Sequence, residues 1–489
     1  MSPTSRFRSL RNAGAVESAS IPVVPAADFR EGVLRAARSG LRLCALFARA
    51  AEGGSGLCAV LADDAGGLLY VLCSEPTAVH RSLTPDMPSA HLFEREIAES
   101  SGISIEGHPW LKPVRSGFPD SAVFFREDGA EVHEVAVGPV HAGIIEPGHF
   151  RFQCHGETVH HLEIQLGYQH RGLEALLAGG PDRRSVFLAE SVSGDTAVGH
   201  SLAYCMVVEA LAGAGAALRG EAQRAAALEL ERLSNHIGDL GAMANDVGFL
   251  PAAAYFGRLR GEFLNMLMAL SGNRYGRGLV RPGGAAFDLT SAMARDFSSR
   301  LARARKDLSA IGDLLFDSAS VVGRFDETGV VSLRTAMDLG LVGLAARASG
   351  LDLDVRRDHP HGLYRFRHLP VMKVESGDVY ARAMLRFLES LRSLDFLETL
   401  VSGLPRGAAR TAVSAPRAGQ FAVALVEGWR GEICHIAETG RDGRFRSYKI
   451  VDPSFHNWQA VAMALRGGEI SDFPLCKHSF NLAYLGHDI

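Results

Sequence analysis

The string Gly167-Tyr168-Gln169-His170-Arg171-Gly172-Leu173-Glu174 marks the point where the chain changes its period. Before it, residues 135–137, 150–154 and 159–165 are short strand-like runs. They are separated by turns at Gly138-Pro139, Pro147-Gly148 and Gly156, which is the pattern of a small antiparallel sheet. After it, apolar residues recur at helical spacing. In 221–240, Ala225, Leu228, Leu233 and Leu240 form such a series with charges between them, and 258–270, 291–315 and 379–404 read the same way. Arg281-Pro282-Gly283-Gly284 is expected to end one of these helices. Strand-like segments return over 421–450 around Gly440–Gly443. Strands at both ends of a helical run predict an α+β fold.

Upstream, residues 41–47 and 68–73 read as strands, and a helix is expected from near Ser89. Pro109, Pro113 and Pro119 then break the chain. The expected organisation is an irregular N-terminal arm over 1–30, a small α/β domain over 31–125, a linker over 126–134 and a mainly helical domain with small β-sheets over 135–489.

The 489 residues, 47% hydrophobic and 22% charged, suffice for two or three domains with their own cores. A formal net charge of -4 gives no basic field for nucleic acid. A membrane-spanning helix needs roughly 20 uncharged apolar residues. The best stretch, 202–218, is about a turn short and carries Glu209 at its middle. It reads as a buried helix, and no direct membrane span is expected. The N-terminus has Arg6, Arg8 and Arg11, but Glu17, Pro22 and Pro25 interrupt any apolar signal-peptide core. A cytoplasmic chain is the expectation, one that would meet a membrane only peripherally, through partners. None of the seven cysteines forms a CxxC pair, which points to reduced, buried thiols. Cys434-His435 and Cys476-Lys477-His478 each lack a matching half at ligand spacing, so no metal is expected to be held by this chain.

Six strings occur in one order: Gly138-Pro139-Val140-His141 with Glu146-Pro147-Gly148-His149-Phe150-Arg151; Gly167 to Glu174; Glu231-Arg232-Leu233-Ser234-Asn235-His236; Arg281-Pro282-Gly283-Gly284; Arg347-Ala348-Ser349-Gly350; and Gly377-Asp378-Val379-Tyr380-Ala381-Arg382. Over about 135–489 they resemble the 49 kDa subunit of respiratory complex I and the large subunit of membrane-bound nickel–iron hydrogenases. Phe93-Glu94-Arg95-Glu96-Ile97 with Gly107-His108-Pro109 resembles the end of the complex I 30 kDa subunit. That subunit precedes the large one in hydrogenases of the formate hydrogenlyase type.

The resemblance implies two CxxC thiolate pairs around a nickel–iron site. Here Ser193 and Thr196 stand in the place of the first pair, and Ser454 and Asn457, after Asp452-Pro453, in the place of the second. Neutral hydroxyls and an amide are poor substitutes for four soft thiolates, so an active hydrogenase is the disfavoured reading. These four residues are expected to form a small polar cavity instead. No C-terminal peptide cleavage is expected, because the tail 473–489 follows no cysteine–histidine signature.

Complex I uses the vacated cavity for a quinone headgroup, held by a tyrosine and a histidine. Gly194 falls at the tyrosine's place and Pro147 near the histidine's; His141 and His149 flank it as candidate substitutes, and Asp195 offers a further polar contact. Arg430 falls where the family has an Arg-Gly lining the cavity. Glu174 matches the glutamate that relays protons in hydrogenases; with Arg171 and His170 it forms a candidate relay, or else an Arg171–Glu174 ion pair that locks a helix start. The resemblance implies electron transfer, quinone and NAD binding and proton translocation for the whole assembly. It implies an iron–sulfur small subunit (complex I 20 kDa-like) and antiporter-like membrane subunits as partners, with the cluster on the small subunit and no cofactor on this chain. A redox-inactive scaffold is the alternative.

Overall fold

The computed structural model describes residues 4–115, 124–129, 131–141, 145–367 and 369–489, so Pro119 of the expected chain break lies outside the described residues. The first 30 residues depart from the expected irregular arm. They fold as Arg8–Leu10 (β1), Gly14–Glu17 (β2) and Val23–Val24 (β3), followed by the start of the helix Ala26–Arg38. Arg42–Ala51 (β4), Gly54–Asp63 (β5) and Leu68–Ser74 (β6) complete a sheet of order β1-β6-β5-β4, with β3 parallel to β6. Such short strands are held by backbone pairing and carry little side-chain signal, which is why composition alone reads as an arm.

Val79–Arg81 (β7) and Ser104–Glu106 (β8) pair in parallel, and the helix His91–Ser101 lies between them in sequence. Val132–Val137 (β9), His149–His155 (β10) and Thr158–Gln165 (β11) form the sheet expected around the first turns, ordered β11-β10-β9. β9 starts inside the expected linker, so the second domain's sheet begins earlier than composition indicated.

The helical layer is built on Leu218–Asp246, Leu250–Ser271, Ser291–Phe316 and Val379–Ser402. The apolar stretch expected at 202–218 is the helix Ala197–Ala212, ended by Gly213 at φ 67°. Its Glu209 receives Arg224 Nη2 at 2.5 Å and the Gly283 N–H at 2.7 Å, which offsets the cost of a buried carboxylate. Among the described residues no helix is long and apolar enough to cross a membrane. Arg281-Pro282-Gly283-Gly284 does not end a helix; Gly272 at φ 75° ends Leu250–Ser271. The string is instead the tight hairpin Val280–Arg281 (β12) and Gly284–Ala285 (β13). A Cβ at Gly283 would collide with the Thr411 carbonyl oxygen, so only glycine fits there.

Gln420–Glu427 (β14), Glu432–Thr439 (β15) and Phe445–Val451 (β16) pair in the order β16-β15-β14-β2, with the N-terminal β2 on the edge. This sheet separates two cores, because its side chains alternate. Phe421, Val423, Leu425, Cys434 and Ile436 pack with the front domain. Ala422, Ala424, Val426, Ile433 and Ala437 pack with the helices. Arg42–Glu432 at 2.8 Å and Arg49–Glu438 at 2.7 Å tie the front domain to β15.

Candidate functional site

The turn before the helix Ala197–Ala212 carries Ser193, Asp195 and Thr196, and the turn between β14 and β15 carries Trp429 and Arg430. The helix lies against β14 and β15, which brings the two turns together. Arg430 grips Asp195 with two nitrogens, Nη1 to Oδ1 at 2.6 Å and Nη2 to Oδ2 at 2.9 Å. The same Nη1 reaches Thr196 Oγ1 at 3.1 Å and Ser193 Oγ at 3.4 Å. Arg430 Nε donates to the Asn481 carbonyl, and its guanidinium stacks 3.8 Å from the Trp429 ring centre. Trp429 Nε1 donates to Thr196 Oγ1 at 3.1 Å. Burial pushes the Asp195 carboxyl up, but the Arg430 charge and the hydrogen bonds from Arg430, Ser193 and Thr196 outweigh it and hold it below its usual range.

The pair borders an open cleft of about 560 Å³ whose walls include Glu146, Ser193, Asp195, Arg277, Lys477 and Tyr484. The Arg430 side chain is 4% exposed and that of Asp195 31%, so the carboxylate faces the cleft and the guanidinium lies behind it. Burial pushes the Glu146 carboxyl above its usual value. Lys477 is lowered to about 8, because its desolvation outweighs the attraction of Asp246 and Glu146.

The expected four-residue cavity does not form. Ser193 lines the cleft, and Thr196 lies sealed behind it. Ser454 and Asn457 are buried elsewhere. Ser454 Oγ accepts the Ala483 N–H at 2.9 Å, and Asn457 clasps the Val342 backbone through Oδ1 at 3.0 Å and Nδ2 at 3.1 Å. The C-terminal residues that meet Ser193 and Asp195 across the cleft are Asn481, Leu482, Ala483 and Tyr484. Asp452-Pro453-Ser454 starts the helix Pro453–Leu465, with Asp452 as its N-cap: Asp452 Oδ1 accepts the Ser454 N–H at 2.7 Å.

His141 Nε2 lies 2.9 Å from the Gly148 carbonyl oxygen and His149 Nδ1 3.3 Å from that of Gly138. Both tie the loop before β10 to its own backbone, and neither lines the cleft. Glu174, His170 and Lys449 border a different pocket, of about 350 Å³, between the front domain and β16. Glu174 Oε1 accepts the Ile450 N–H at 2.9 Å and lies 3.0 Å from Lys449 Nζ. Arg171 does not pair with Glu174; its nitrogens donate to the carbonyls of Ser191 at 2.7 Å and Val192 at 3.3 Å, which fixes the backbone leading into Ser193. His200 and His236 anchor helices, His200 to Asp452 at 2.9 Å and His236 to Glu389 at 3.0 Å.

Lys477 and Glu146 were missed as cleft residues. The Cys476-Lys477-His478 string held the signal, but its cysteine and histidine drew the reading. Cys476 is buried, and His478 Nδ1 pairs with Asp246 at 2.6 Å. Among the described residues no cluster of histidine, cysteine and carboxylate side chains is arranged to hold a metal.

The residues around the cleft do not fit a nickel–iron group. None of those bordering it is a cysteine, and the hydroxyls of Ser193 and Thr196 are engaged by Asp195 and Arg430.

Sequence comparison places the chain in a family. Residues 246–422 match the respiratory-chain NADH dehydrogenase 49 kDa subunit and residues 65–122 the 30 kDa subunit. The chain belongs to the family of the complex I 49 kDa subunit and the related hydrogenase subunits, with a 30 kDa-like stretch fused in front. It is 30% identical to the carbon monoxide-induced hydrogenase of Rhodospirillum rubrum over 71% of this chain and 97% of that protein. It is 29% identical to formate hydrogenlyase subunit 5 of Escherichia coli, over 82% of this chain and 76% of the relative. It is 27% identical to a subunit of the NADH-quinone oxidoreductase of Chloroherpeton thalassium, over 72% of this chain and 87% of that one. These relatives are subunits of hydrogenase and complex I type assemblies.

Proposed function

We propose that the chain is the large subunit of a membrane-associated electron-transfer complex that works without a nickel–iron centre. The observation that supports it is a cleft with no cysteine at its border, where Ser193 and Thr196 hydrogen-bond to the Arg430–Asp195 pair. In this reading the chain sits peripherally on the cytoplasmic face of the inner membrane. Electrons reach a quinone or similar acceptor in the cleft from an iron–sulfur cluster on a small partner protein. Antiporter-like membrane subunits couple that step to ion movement.

Metal analysis of the purified complex tests the first part: less than stoichiometric nickel is expected, and one nickel per chain sinks it. Quinone reduction by the same complex tests the second. The mutual satisfaction of Ser193, Asp195, Thr196 and Arg430 favours a second reading, a redox-inactive scaffold. A complex that requires this chain for assembly, yet passes electrons to no acceptor, establishes the scaffold.

A further inference from the structure

Resting on the acceptor reading above, we infer that Lys477 is the catalytic residue that anchors a quinone carbonyl oxygen in the cleft and gives it a proton. The argument starts from which cleft groups are already engaged. Asp195 holds Arg430, and Asp246 holds His478. Glu146 accepts the Tyr484 backbone N–H at 3.1 Å. The side chains of Lys477 and Arg277 have no hydrogen bond or ion pair among the described residues, and both border the cleft. Lys477 Nζ lies 5.4 Å from the centre of the Tyr484 ring, which is 3% exposed and packed on Trp458, so the ammonium stands against an aromatic wall. An uncharged planar ring with a carbonyl edge matches that pairing of aromatic surface and hydrogen-bond donor.

Of the two unengaged cations only Lys477 transfers a proton, because a guanidinium does not deprotonate in proteins. Its partly desolvated ammonium is poised at about 8, near an ordinary working pH. Glu174, the relay residue read from the sequence, borders the other pocket and is tied to Lys449.

In the step, two electrons arrive one at a time from an iron–sulfur cluster of the partner protein and reduce the quinone ring. An N–H bond breaks at Lys477 and an O–H bond forms at the carbonyl oxygen. Water in the open cleft supplies the second proton and reprotonates Lys477, so quinone, two electrons and two protons give quinol. Desolvation lowers Lys477, and Asp246 from the end of Leu218–Asp246 and Glu146 from the loop before β10 attract its charge; the other titratable or charged groups facing it across the cleft are His478, Arg277, Arg430, Asp195 and Tyr484.

The test uses the intact complex with reduced methyl viologen as donor and decylubiquinone as acceptor, from pH 6 to pH 10. The rate of the unaltered complex is expected to fall as pH rises through about 8, where Lys477 loses its proton. Lys477→Gln is expected to lower kcat about 100-fold and to abolish that fall. Lys477→Arg keeps the charge, so KM is expected to stay within about threefold while kcat drops; it also decides the matter if the glutamine variant does not assemble. A Lys477→Gln complex with the original kcat and the original alkaline fall overturns the inference alone. An unaltered complex that reduces no quinone overturns the acceptor reading and the inference with it.

Discussion

At Asp195 one carboxylate answers one guanidinium, and two hydroxyls close the ring around them. Asp195→Asn leaves Arg430 buried with its charge unmatched. The expected loss is about 1–3 kcal/mol, less than for a fully buried pair because Asp195 is partly open to the cleft; a denaturant melt reads it. Arg347 is the contrasting case. It is 1% exposed, with Glu389 at 2.7 Å and Glu427 at 2.8 Å, so Arg347→Met takes the shared cation from two buried carboxylates, leaving Glu389 to His236 and Glu427 to the Val355 N–H, and is expected to cost about 3–5 kcal/mol. An Arg347→Met melt equal to that of the unaltered chain sinks this reading. Ser193 and Thr196 were legible in the sequence because the altered motif is local. Their union with Arg430 was not, since it joins residues 234 to 237 positions apart, and local pattern carries no such pairing.

Among the elements, the helix Ala197–Ala212 has a start that it cannot cap. Its N-cap Thr196 makes no capping bond, and Glu231 of the neighbouring helix does so instead, accepting the Val198 N–H at 2.7 Å and the Gly199 N–H at 3.1 Å. Glu231→Ala leaves both donors buried and is expected to cost about 1–3 kcal/mol. Burial also lifts the Glu231 carboxyl from 4.5 to about 8, against those two donors. A folded value above the unfolded one adds stability that is full below about 4.5 and is lost as pH rises through about 8. Chemical melts between those limits are expected to show declining stability, and Glu231→Gln to flatten the slope. Helical periodicity made the long helices legible, and the bounds slipped where glycine decides them: Gly213 at φ 67° stops an apolar run that the residues alone carry to 218. The hairpin at 281–284 was misread because glycine and proline end a helix and turn a hairpin with the same chemistry.

Across the whole molecule, the front domain and the helices share β14–β16 as a common wall. The α+β class and the order of the two parts were legible from the change in period. The boundary was not, because β2 crosses it by backbone pairing to residues 420–423, and Asn12 joins it there. Asn12 Nδ2 donates to the carbonyls of His359 at 2.6 Å and Leu425 at 2.9 Å, and its Oδ1 accepts the Leu425 N–H at 2.8 Å. Deleting residues 1–17 uncovers the β14 edge. Faster hydrogen exchange at the Phe421 and Val423 amides and a tendency to self-associate are expected; unchanged exchange there argues that β2 is dispensable.

That same edge strand imposes an order on birth. Strand β2 waits for its partner β14, made some four hundred residues later. During synthesis the front sheet is therefore expected to carry an unfinished hydrophobic side until β14–β16 emerge. Nascent chains halted before residue 420 are the ones that chaperones should hold, and release should follow once Val451 has cleared the exit tunnel.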